Sequence, residues 1–198
     1  MQFAKRKRNR LPGYDYSQVG TYFITVCTEN KRCVLSKVVG VGVLDDPEIR
    51  LTEYGEIAQN CIKEMNDIYE NIEIEKYVIM PNHIHFLISI INGSSGAPTP
   101  TNSGIPNFVS TFKRFCNKKY TENIWQRSYY DHIIRDDEDY FTIWNYINDN
   151  PAKWLEDKYY TKRKSRVGFN SDSAFNHFIN SSMFLRSIAF ASSNVPSN

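Results

Sequence analysis

Apolar and polar residues change their spacing several times along this chain, and each change marks the boundary of a predicted element. An unbroken run of β-branched and aromatic residues over 22–28 predicts a buried strand. From Thr52 onward, apolar residues recur at steps of three and four, which predicts an amphipathic helix with Thr52 as its N-cap. The stretch 37–47 is rich in glycine and valine and then acidic, and we expect a hairpin or an irregular loop there.

Two further apolar runs, 72–80 and 83–91, each predict a strand. Proline cannot donate to a sheet ladder, so we place a bend between these strands at Pro81 and Asn82. Gly, Ser, Pro, Thr and Asn dominate 92–104, which predicts a flexible surface loop.

Three more elements complete the pattern. The helical spacing returns at Ile105, a short strand is expected over 129–135, and Asp136 caps a third helix that runs to Asn150 and stops at Pro151. The first six main elements follow the order β-α-β-β-α-β. The predicted fold class is therefore α+β: a ferredoxin-like antiparallel sheet with helices on one face, a further C-terminal helix, and a second face free for a ligand.

The composition belongs to a globular protein, with 41% hydrophobic and 23% charged residues. No apolar stretch approaches the roughly 20 residues of a membrane helix, and no apolar region follows the basic N-terminus, so we expect neither a membrane protein nor a secretory signal. The four cysteines include no C-x-x-C pair, which excludes a zinc ribbon and favours a reduced, cytoplasmic chain.

The net charge of +2 does not by itself suggest a nucleic-acid partner, but the basic residues are clustered. They crowd three segments: Lys5, Arg6, Lys7, Arg8 and Arg10; Lys113, Arg114, Lys118 and Lys119; and Lys158, Lys162, Arg163, Lys164 and Arg166. Separate basic clusters can follow a phosphate backbone. A solvated tail and ordinary helix faces are the alternative interpretation.

The most informative short motif is His83-Ile84-His85, within the strand predicted at 83–91. Residues two apart on a strand point to the same face, so the two imidazoles project together while Ile84 projects to the other side. Paired imidazoles can hold one divalent cation. Two histidines with unrelated hydrogen bonds are the alternative.

The third helix carries a second candidate group. Tyr146 and Asn150 lie four residues apart, so they are neighbours on one side of the helix. They flank the apolar stripe, which consists of Tyr140, Ile143, Trp144 and Ile147. A tyrosine in that position can act as a nucleophile beside a cation, and the asparagine can supply a neutral oxygen ligand. A tyrosine at the core edge and a C-cap asparagine are the structural alternative.

These motifs together resemble the REP-associated tyrosine transposases, a branch of the single-tyrosine HUH transposases. The likeness runs in order over about residues 10–160: G-Y-D-Y at 13–16 leading into Y-F-I-T-V-C-T at 22–28, Y-V-I-M-P-N-H-I-H at 77–85, W-Q-R-S-Y-Y-D-H-I-I-R at 125–135, and Y-I-N-D-N-P at 146–151. The loop at 92–104 and the chain after Thr161 carry no motif of this family.

The resemblance implies a transposase that cleaves and rejoins single-stranded DNA near hairpins through a 5′-phosphotyrosine, leaving a free 3′-OH. It implies Tyr146 as the nucleophile and His83, His85 and Asn150 as ligands of Mg²⁺ or Mn²⁺. Asp131 and His132 match the segment before the catalytic helix, without a definite role; His132 can equally be a structural hydrogen-bonding residue. The resulting layout is a basic arm at 1–12, the HUH domain at 13–160, and an extension at 161–198.

Two other functions remain open. One is a catalytically silent module that still binds hairpin DNA, and the other is a metal-dependent hydrolase that uses water as its nucleophile. The hydrolase lacks a clear general-base carboxylate beside the histidines in the sequence. The family resemblance is compatible with a homodimer and with a monomer acting in cis, and it implies a cytoplasmic protein associated with the nucleoid.

Overall fold

The computed structural model describes residues 13–40, 47–91 and 104–161. The N-terminal basic arm, nearly all of the predicted loop at 92–104 and the C-terminal extension lie outside the described residues. All four cysteines lie within the described residues and are free thiols there. No helix in the same ranges is long and apolar enough to cross a lipid bilayer.

The predicted elements are present in the described residues, with ends that differ by a few residues. In chain order they are β1 (Gly20–Cys27), β2 (Ser36–Val39), β3 (Glu48–Leu51), α1 (Glu53–Ile68), β4 (Ile72–Ile79), β5 (His83–Ile90), α2 (Ile105–Tyr120), β6 (Tyr130–Ile133) and α3 (Asp137–Asp149). Of the segment 37–47, expected to form a hairpin or a loop, residues 37–39 lie in β2, which pairs antiparallel with β3, and residues 41–46 lie outside the described residues.

The main sheet has the strand order β4-β5-β1-β6, and every neighbouring pair is antiparallel. The strands of this sheet that precede and follow α1 in the chain are β1 and β4, and β5 lies between them in the sheet. This order and the preceding β-α-β-β-α-β succession confirm the ferredoxin-like prediction.

The helix starts depend on residues that the sequence identifies. Thr52 accepts a hydrogen bond from the backbone N–H of Gly55 at 3.3 Å, and Asp136 accepts one from that of Asp139 at 2.9 Å. Both predicted N-caps are therefore confirmed. Gly55 also lets α1 approach the chain before β2, because a Cβ at this position would lie 2.1 Å from the carbonyl oxygen of Leu35.

Alternation along β1 and β5 divides their side chains between two faces of the sheet. Even-numbered residues face α1 and α2 and form the main core with them: Tyr22, Ile24, Val26, Ile84, Phe86 and Ile88. Odd-numbered residues, which include Phe23, Thr25, His83, His85 and Leu87, face the other way. The prediction that the two histidines share a face is confirmed by the register, which pairs Cys27 with His83 and Thr25 with His85.

The second face of the sheet is only partly free: α3 covers it over β4 and β5, whereas a cleft lined by Phe23 and Tyr130 stays open beside β6. The apolar stripe of α3 packs there: Ile147 is 1% exposed against Phe23 and Leu87, with Tyr140, Ile143 and Trp144 around it. An exposed stripe of this size would be unfavourable in water, so the helix closes over the sheet. The helix and the chain after it therefore leave both histidines fully buried.

Candidate active site

The two histidines meet side by side at the end of the sheet where β5 begins. The Nε2 atoms of His83 and His85 are 3.0 Å apart, and their ring centroids are 4.4 Å apart. Both side chains are 0% exposed. A buried pair of imidazoles this close can share either a proton or a cation, because two bare lone pairs at this distance would repel.

The neighbours of His83 determine its tautomer. The amide of Asn82 donates from Nδ2 to the backbone carbonyl of Tyr159 at 2.8 Å, and a carbonyl can only accept. This fixes the amide so that Oδ1 of Asn82 lies 2.8 Å from Nδ1 of His83. Nδ1 of His83 must then carry the proton, which leaves the lone pair on Nε2, the atom that faces His85.

His85 is held by a group that can either donate or accept. Its Nδ1 lies 2.8 Å from the hydroxyl of Thr25, which is fully buried on β1. When Nδ1 donates to this hydroxyl, Nε2 of His85 is also free to coordinate a cation. When Thr25 donates instead, Nε2 of His85 carries the proton that its neighbour accepts. Thr25 is therefore compatible with both protonation patterns of the pair.

Burial keeps both imidazoles neutral. Desolvation lowers the pKa of His83 to about 4, with Lys158 and Lys31 acting in the same direction and Asp157 opposing them. Desolvation also holds the pKa of His85 well below its usual value, and the neighbouring His83 adds to the effect. The neutral form is the one that binds metals.

The predicted nucleophile reaches the histidine pair. The hydroxyl of Tyr146, on α3, lies 3.4 Å from Nε2 of His85 and 3.4 Å from Oδ2 of Asp157. Its ring stands edge-on to Phe23, with centroids 5.9 Å apart. Burial raises the pKa of Tyr146 to about 12, and the charge of Asp157 adds to that increase.

Asn150 ends α3 beside the same group of side chains and is 2% exposed. Its Nδ2 donates to Oδ2 of Asp157 at 3.0 Å, which fixes the orientation of the amide. Its Oδ1 is buried and accepts no hydrogen bond from the described residues. Asn150 is thus the C-cap of α3, as the structural alternative expected, and it also has a buried amide oxygen without a hydrogen-bond partner among the described residues.

Asp157 is a site residue that the sequence analysis missed. One ligand atom of each of His83, His85 and Asp157 can be chosen so that all three lie within 4.8 Å of one another. The backbone N–H of Tyr159 donates to Oδ1 of Asp157 at 2.6 Å and so orients the carboxylate. No periodicity or motif marks this aspartate, because it follows a short 3-10 turn, Trp154–Glu156, rather than a regular element.

The chain after α3 also covers the two histidines with a roof of aromatic side chains, Trp154 and Tyr159, which the sequence did not indicate. The ring centroid of Tyr159 lies 4.6 Å from that of His83. The ring centroid of Trp154 lies 6.0 Å from that of His83. Lys31 and Lys158 place their ammonium groups over the Tyr159 ring at 5.7 Å and 4.9 Å. The roof therefore carries positive charge on the outside of the buried pair.

A cleft of about 490 Å³ opens beside the tyrosine, between α3 and β6. Its lining includes Tyr130, Lys153 and Lys158 as well as Tyr146 and Asp157. Tyr130 is 41% exposed, and the ammonium of Lys158 lies 4.9 Å from the centre of its ring. The cleft thus combines an exposed aromatic ring with positive charge, directly beside the hydroxyl of the candidate nucleophile.

The basic cluster of α2 lies across the sheet from this cleft, since α2 packs on the other face. Lys113 is turned inward: its ammonium donates to the carbonyls of Gln126 at 2.7 Å and Ser128 at 3.0 Å, and burial lowers its pKa to about 8. Lys119 forms a salt bridge with Glu64. Arg114 and Lys118 are exposed. Lys113 therefore anchors a loop, whereas the others remain at the surface.

The segment before α3 divides its residues between the two faces. Asp131 is 9% exposed and pairs with Ile24 on β1, so its side chain lies on the face of α1 and α2, away from the histidines. His132 lies on the other face and contacts both carboxylate oxygens of Asp139, at 2.9 and 2.8 Å. This contact ties β6 to the first turn of α3, as the structural interpretation of His132 expects.

The donor set of this site fits a small divalent cation. Two ligand atoms at right angles around a cation, each ~2.1 Å from it, are ~3.0 Å apart, and the two Nε2 atoms are 3.0 Å apart. Neutral imidazoles, a carboxylate and an amide oxygen are donors that suit Mn²⁺, and the oxygens suit Mg²⁺. The buried Oδ1 of Asn150 would gain a partner if it joined such a site.

No protein-family model matches the chain, whereas individual relatives do. A Haemophilus influenzae protein described as uncharacterized is 32% identical over 173 residues, which cover 78% of this chain and 93% of that protein. A putative REP-associated tyrosine transposase of the same organism is 25% identical over 146 residues, covering 70% and 74%. The REP-associated tyrosine transposase of Escherichia coli K12 is 28% identical over 143 residues, covering 71% and 73%.

A solved structure of a REP-associated tyrosine transposase bound to a REP hairpin shares the fold. It superposes with a TM-score of 0.55 and 23% sequence identity, and the match covers 77% of this chain and 74% of that chain. At this level of identity the likeness concerns the arrangement of helices and strands.

Proposed function

We propose that this chain is a REP-associated tyrosine transposase, as its 25% and 28% identity to proteins of that name supports, and that it cleaves and rejoins single-stranded DNA near hairpins through a 5′-phosphotyrosine. Its named relatives are transposases, so an enzymatic role in DNA processing belongs to the family. One observation supports the proposed chemistry in particular: the hydroxyl of Tyr146 lies 3.4 Å from Nε2 of His85, at the edge of an open cleft.

The reaction requires one phosphodiester bond to be exchanged for another. The oxygen of Tyr146 forms a bond to phosphorus, the bond from phosphorus to the 3′-oxygen breaks, and the proton lost by the phenol balances the one gained by the 3′-OH. Rejoining reverses these steps with a 3′-OH as the nucleophile. The phosphotyrosine retains the energy of the cleaved bond, and the sequence contains no Walker-type glycine loop.

The metal ligands are part of the proposal. His83, His85 and Asn150 would hold Mg²⁺ or Mn²⁺, which supplies neutralisation of the charge that develops on the phosphate. The fixed Nδ1–H of His83 and the adaptable hydroxyl of Thr25 both leave an Nε2 lone pair available for this purpose. Because both imidazoles are fully buried, they would shield such a cation from water on the side of the sheet.

We propose that the single strand passes through the cleft beside Tyr146. Tyr130 offers an aromatic face on which a base can stack, and Lys153 and Lys158 offer positive charge to the backbone. This path differs from the one that the sequence suggested, since the α2 cluster lies across the sheet. The exposed Arg114 and Lys118 remain candidates for contacts with a hairpin stem.

We further propose that the chain acts in cis. The hydroxyl of Tyr146 and Oδ2 of Asp157 already lie beside the histidines of the same chain. A swapped dimer would need α3 to leave the apolar contacts of Ile147 with Phe23 and Leu87. Mixing Tyr146→Phe chains with His83→Ala chains tests this directly: a cis enzyme stays inactive, whereas a swapped dimer recovers part of its activity.

The decisive experiment follows a covalent bond. Labelled single-stranded hairpin DNA is incubated with the protein and Mn²⁺, and a denaturing gel is searched for a protein–DNA adduct. The parent chain should form the adduct and Tyr146→Phe should not, while Tyr146→Phe still binds DNA and Mn²⁺. Tyr129→Phe and Tyr130→Phe are the matched controls, and loss of adduct in either with retention in Tyr146→Phe would overturn the assignment.

The same experiment separates the two other functions. A silent binding module retains the hairpin but gives neither adduct nor cleavage. A metal-dependent hydrolase cleaves without an adduct. The sequence showed no general-base carboxylate beside the histidines, but the structure places Asp157 there, which supports the hydrolase more than the sequence did. Cleavage that persists in Tyr146→Phe would identify the hydrolase.

A further inference from the structure

The structure brings to the histidine pair a carboxylate that no motif assigns to it. We propose that Asp157 is a direct ligand of the divalent cation, together with His83 and His85; this inference rests on the metal site of the proposed function and extends it. The three side chains offer ligand atoms within 4.8 Å of one another, from β5 and from the turn after α3.

Asp157 is oriented in the way that a ligand requires. The backbone N–H of Tyr159 occupies Oδ1 at 2.6 Å, and Nδ2 of Asn150 donates to Oδ2 at 3.0 Å. The hydroxyl of Tyr146 is a second donor to Oδ2, at 3.4 Å. Each carboxylate oxygen can accept at two positions, so a lone pair remains on Oδ1 after these contacts. Little rotamer freedom would be lost when a cation binds, which favours affinity.

Charge complementarity supports a carboxylate at this place. Two neutral imidazoles and an amide oxygen carry no negative charge. The single negative charge of a phosphodiester only partly neutralises a divalent cation, so a carboxylate beside the cation would offset the positive charge that remains. Asp157 is the negatively charged member of the cluster that the described residues form around the pair. A cation between it and the histidines would offset the cost of holding a partly buried carboxylate.

Asn150 then has two separable roles. Its Nδ2 positions Asp157, and its Oδ1 is the buried oxygen with no hydrogen bond from the described residues. If the only role of Asp157 were to position Asn150, removing the carboxylate would weaken Mn²⁺ binding only while Asn150 is present. If Asp157 is itself a ligand, the carboxylate contributes in either background.

Calorimetric titration of the full chain with Mn²⁺, without DNA, tests the proposal. Asp157→Asn, which keeps the shape and removes the charge, should weaken Mn²⁺ binding at least about tenfold, the lower end of the effect of losing even an outer partner of a ligand. Glu156→Gln is the matched control: it removes the neighbouring exposed carboxylate of the same cleft and should leave Mn²⁺ affinity unchanged.

A double-mutant cycle then distinguishes ligand from positioning residue. In an Asn150→Ala background, Asp157→Asn should weaken Mn²⁺ binding further; an unchanged affinity would overturn the role as ligand. Unfolding curves for each variant identify misfolding, and Asp157→Ser is a second substitution for use if the first unfolds. The electron paramagnetic resonance spectrum of bound Mn²⁺ should also change in Asp157→Asn.

The failures of this inference and of the proposed function are distinguishable. If the parent forms the DNA adduct and Asp157→Asn binds Mn²⁺ like the parent, Asp157 is not a ligand and the transposase proposal stands. If Asp157→Asn loses Mn²⁺ but the parent forms no adduct, the ligand is correct and the transposase chemistry is wrong. A parent that binds no Mn²⁺ overturns the ligand assignment outright.

Discussion

The substitution Thr25→Val tests whether the sheet itself tunes the histidine pair. Valine has nearly the shape of threonine, so the change replaces one hydroxyl by a methyl group at a fully buried position. Nδ1 of His85 then loses its partner at 2.8 Å and is buried without a hydrogen bond. Among the described side chains, Thr25 is the one that hydrogen-bonds this nitrogen.

Two magnitudes follow from this geometry. A buried polar group left without its partner costs about 1–3 kcal/mol of unfolding free energy. Removing the outer hydrogen bond of a metal-ligating histidine weakens metal binding by about 10–100-fold, which corresponds to roughly 1.4–2.7 kcal/mol of binding free energy. Thr25→Val should therefore be less stable and should bind Mn²⁺ more weakly, by amounts that calorimetry and chemical unfolding can both resolve.

Thr21→Val is the matched control on the same strand and the same face. The hydroxyl of Thr21 bonds the hydroxyl of Ser89 at 2.6 Å, away from the histidines. This variant should also lose some stability but keep the Mn²⁺ affinity of the parent. The argument fails if a folded Thr25→Val binds Mn²⁺ as tightly as the parent, or if Thr21→Val weakens binding equally, since the effect would then belong to the strand in general.

Three other predictions concern charge and stacking. Lys113→Met should lower the unfolding free energy by about 1–3 kcal/mol, because it removes charged hydrogen bonds to partly buried carbonyls. Lys118→Met should change the unfolding free energy by less than about 0.5 kcal/mol. Equal effects of the two substitutions in denaturant titrations would contradict the inward position of Lys113. Tyr130→Ala should weaken single-stranded DNA binding by about 1–3 kcal/mol, as expected for one stacked base, and Tyr130→Phe should retain it in fluorescence anisotropy. Deleting residues 1–10, with five positive charges, should flatten the plot of log affinity against log salt by about 0.7 for each phosphate that this segment neutralises; a parental slope would show that the segment does not bind DNA.

Local patterns determined most of the secondary structure. The caps at Thr52 and Asp136 and the bend at Pro81 depend on neighbouring residues, and each is where the sequence predicts it. The same holds for the shared face of His83 and His85, because a strand alternates its side chains whatever it packs against. The placing of Tyr146 beside Asn150 likewise follows from helical geometry alone.

Tertiary structure decided which of these groups meet and how they are covered. The period of α3 shows its apolar stripe, but only the folded structure shows that this stripe packs against Phe23 and Leu87 and so covers part of the second face of the sheet. Asp157 joins the histidines through the path of the chain after α3, and Lys113 turns inward because loop carbonyls lie within its reach. Periodicity describes neighbours along one element, whereas these interactions join residues far apart in sequence, whose distances are determined only when the whole chain is folded.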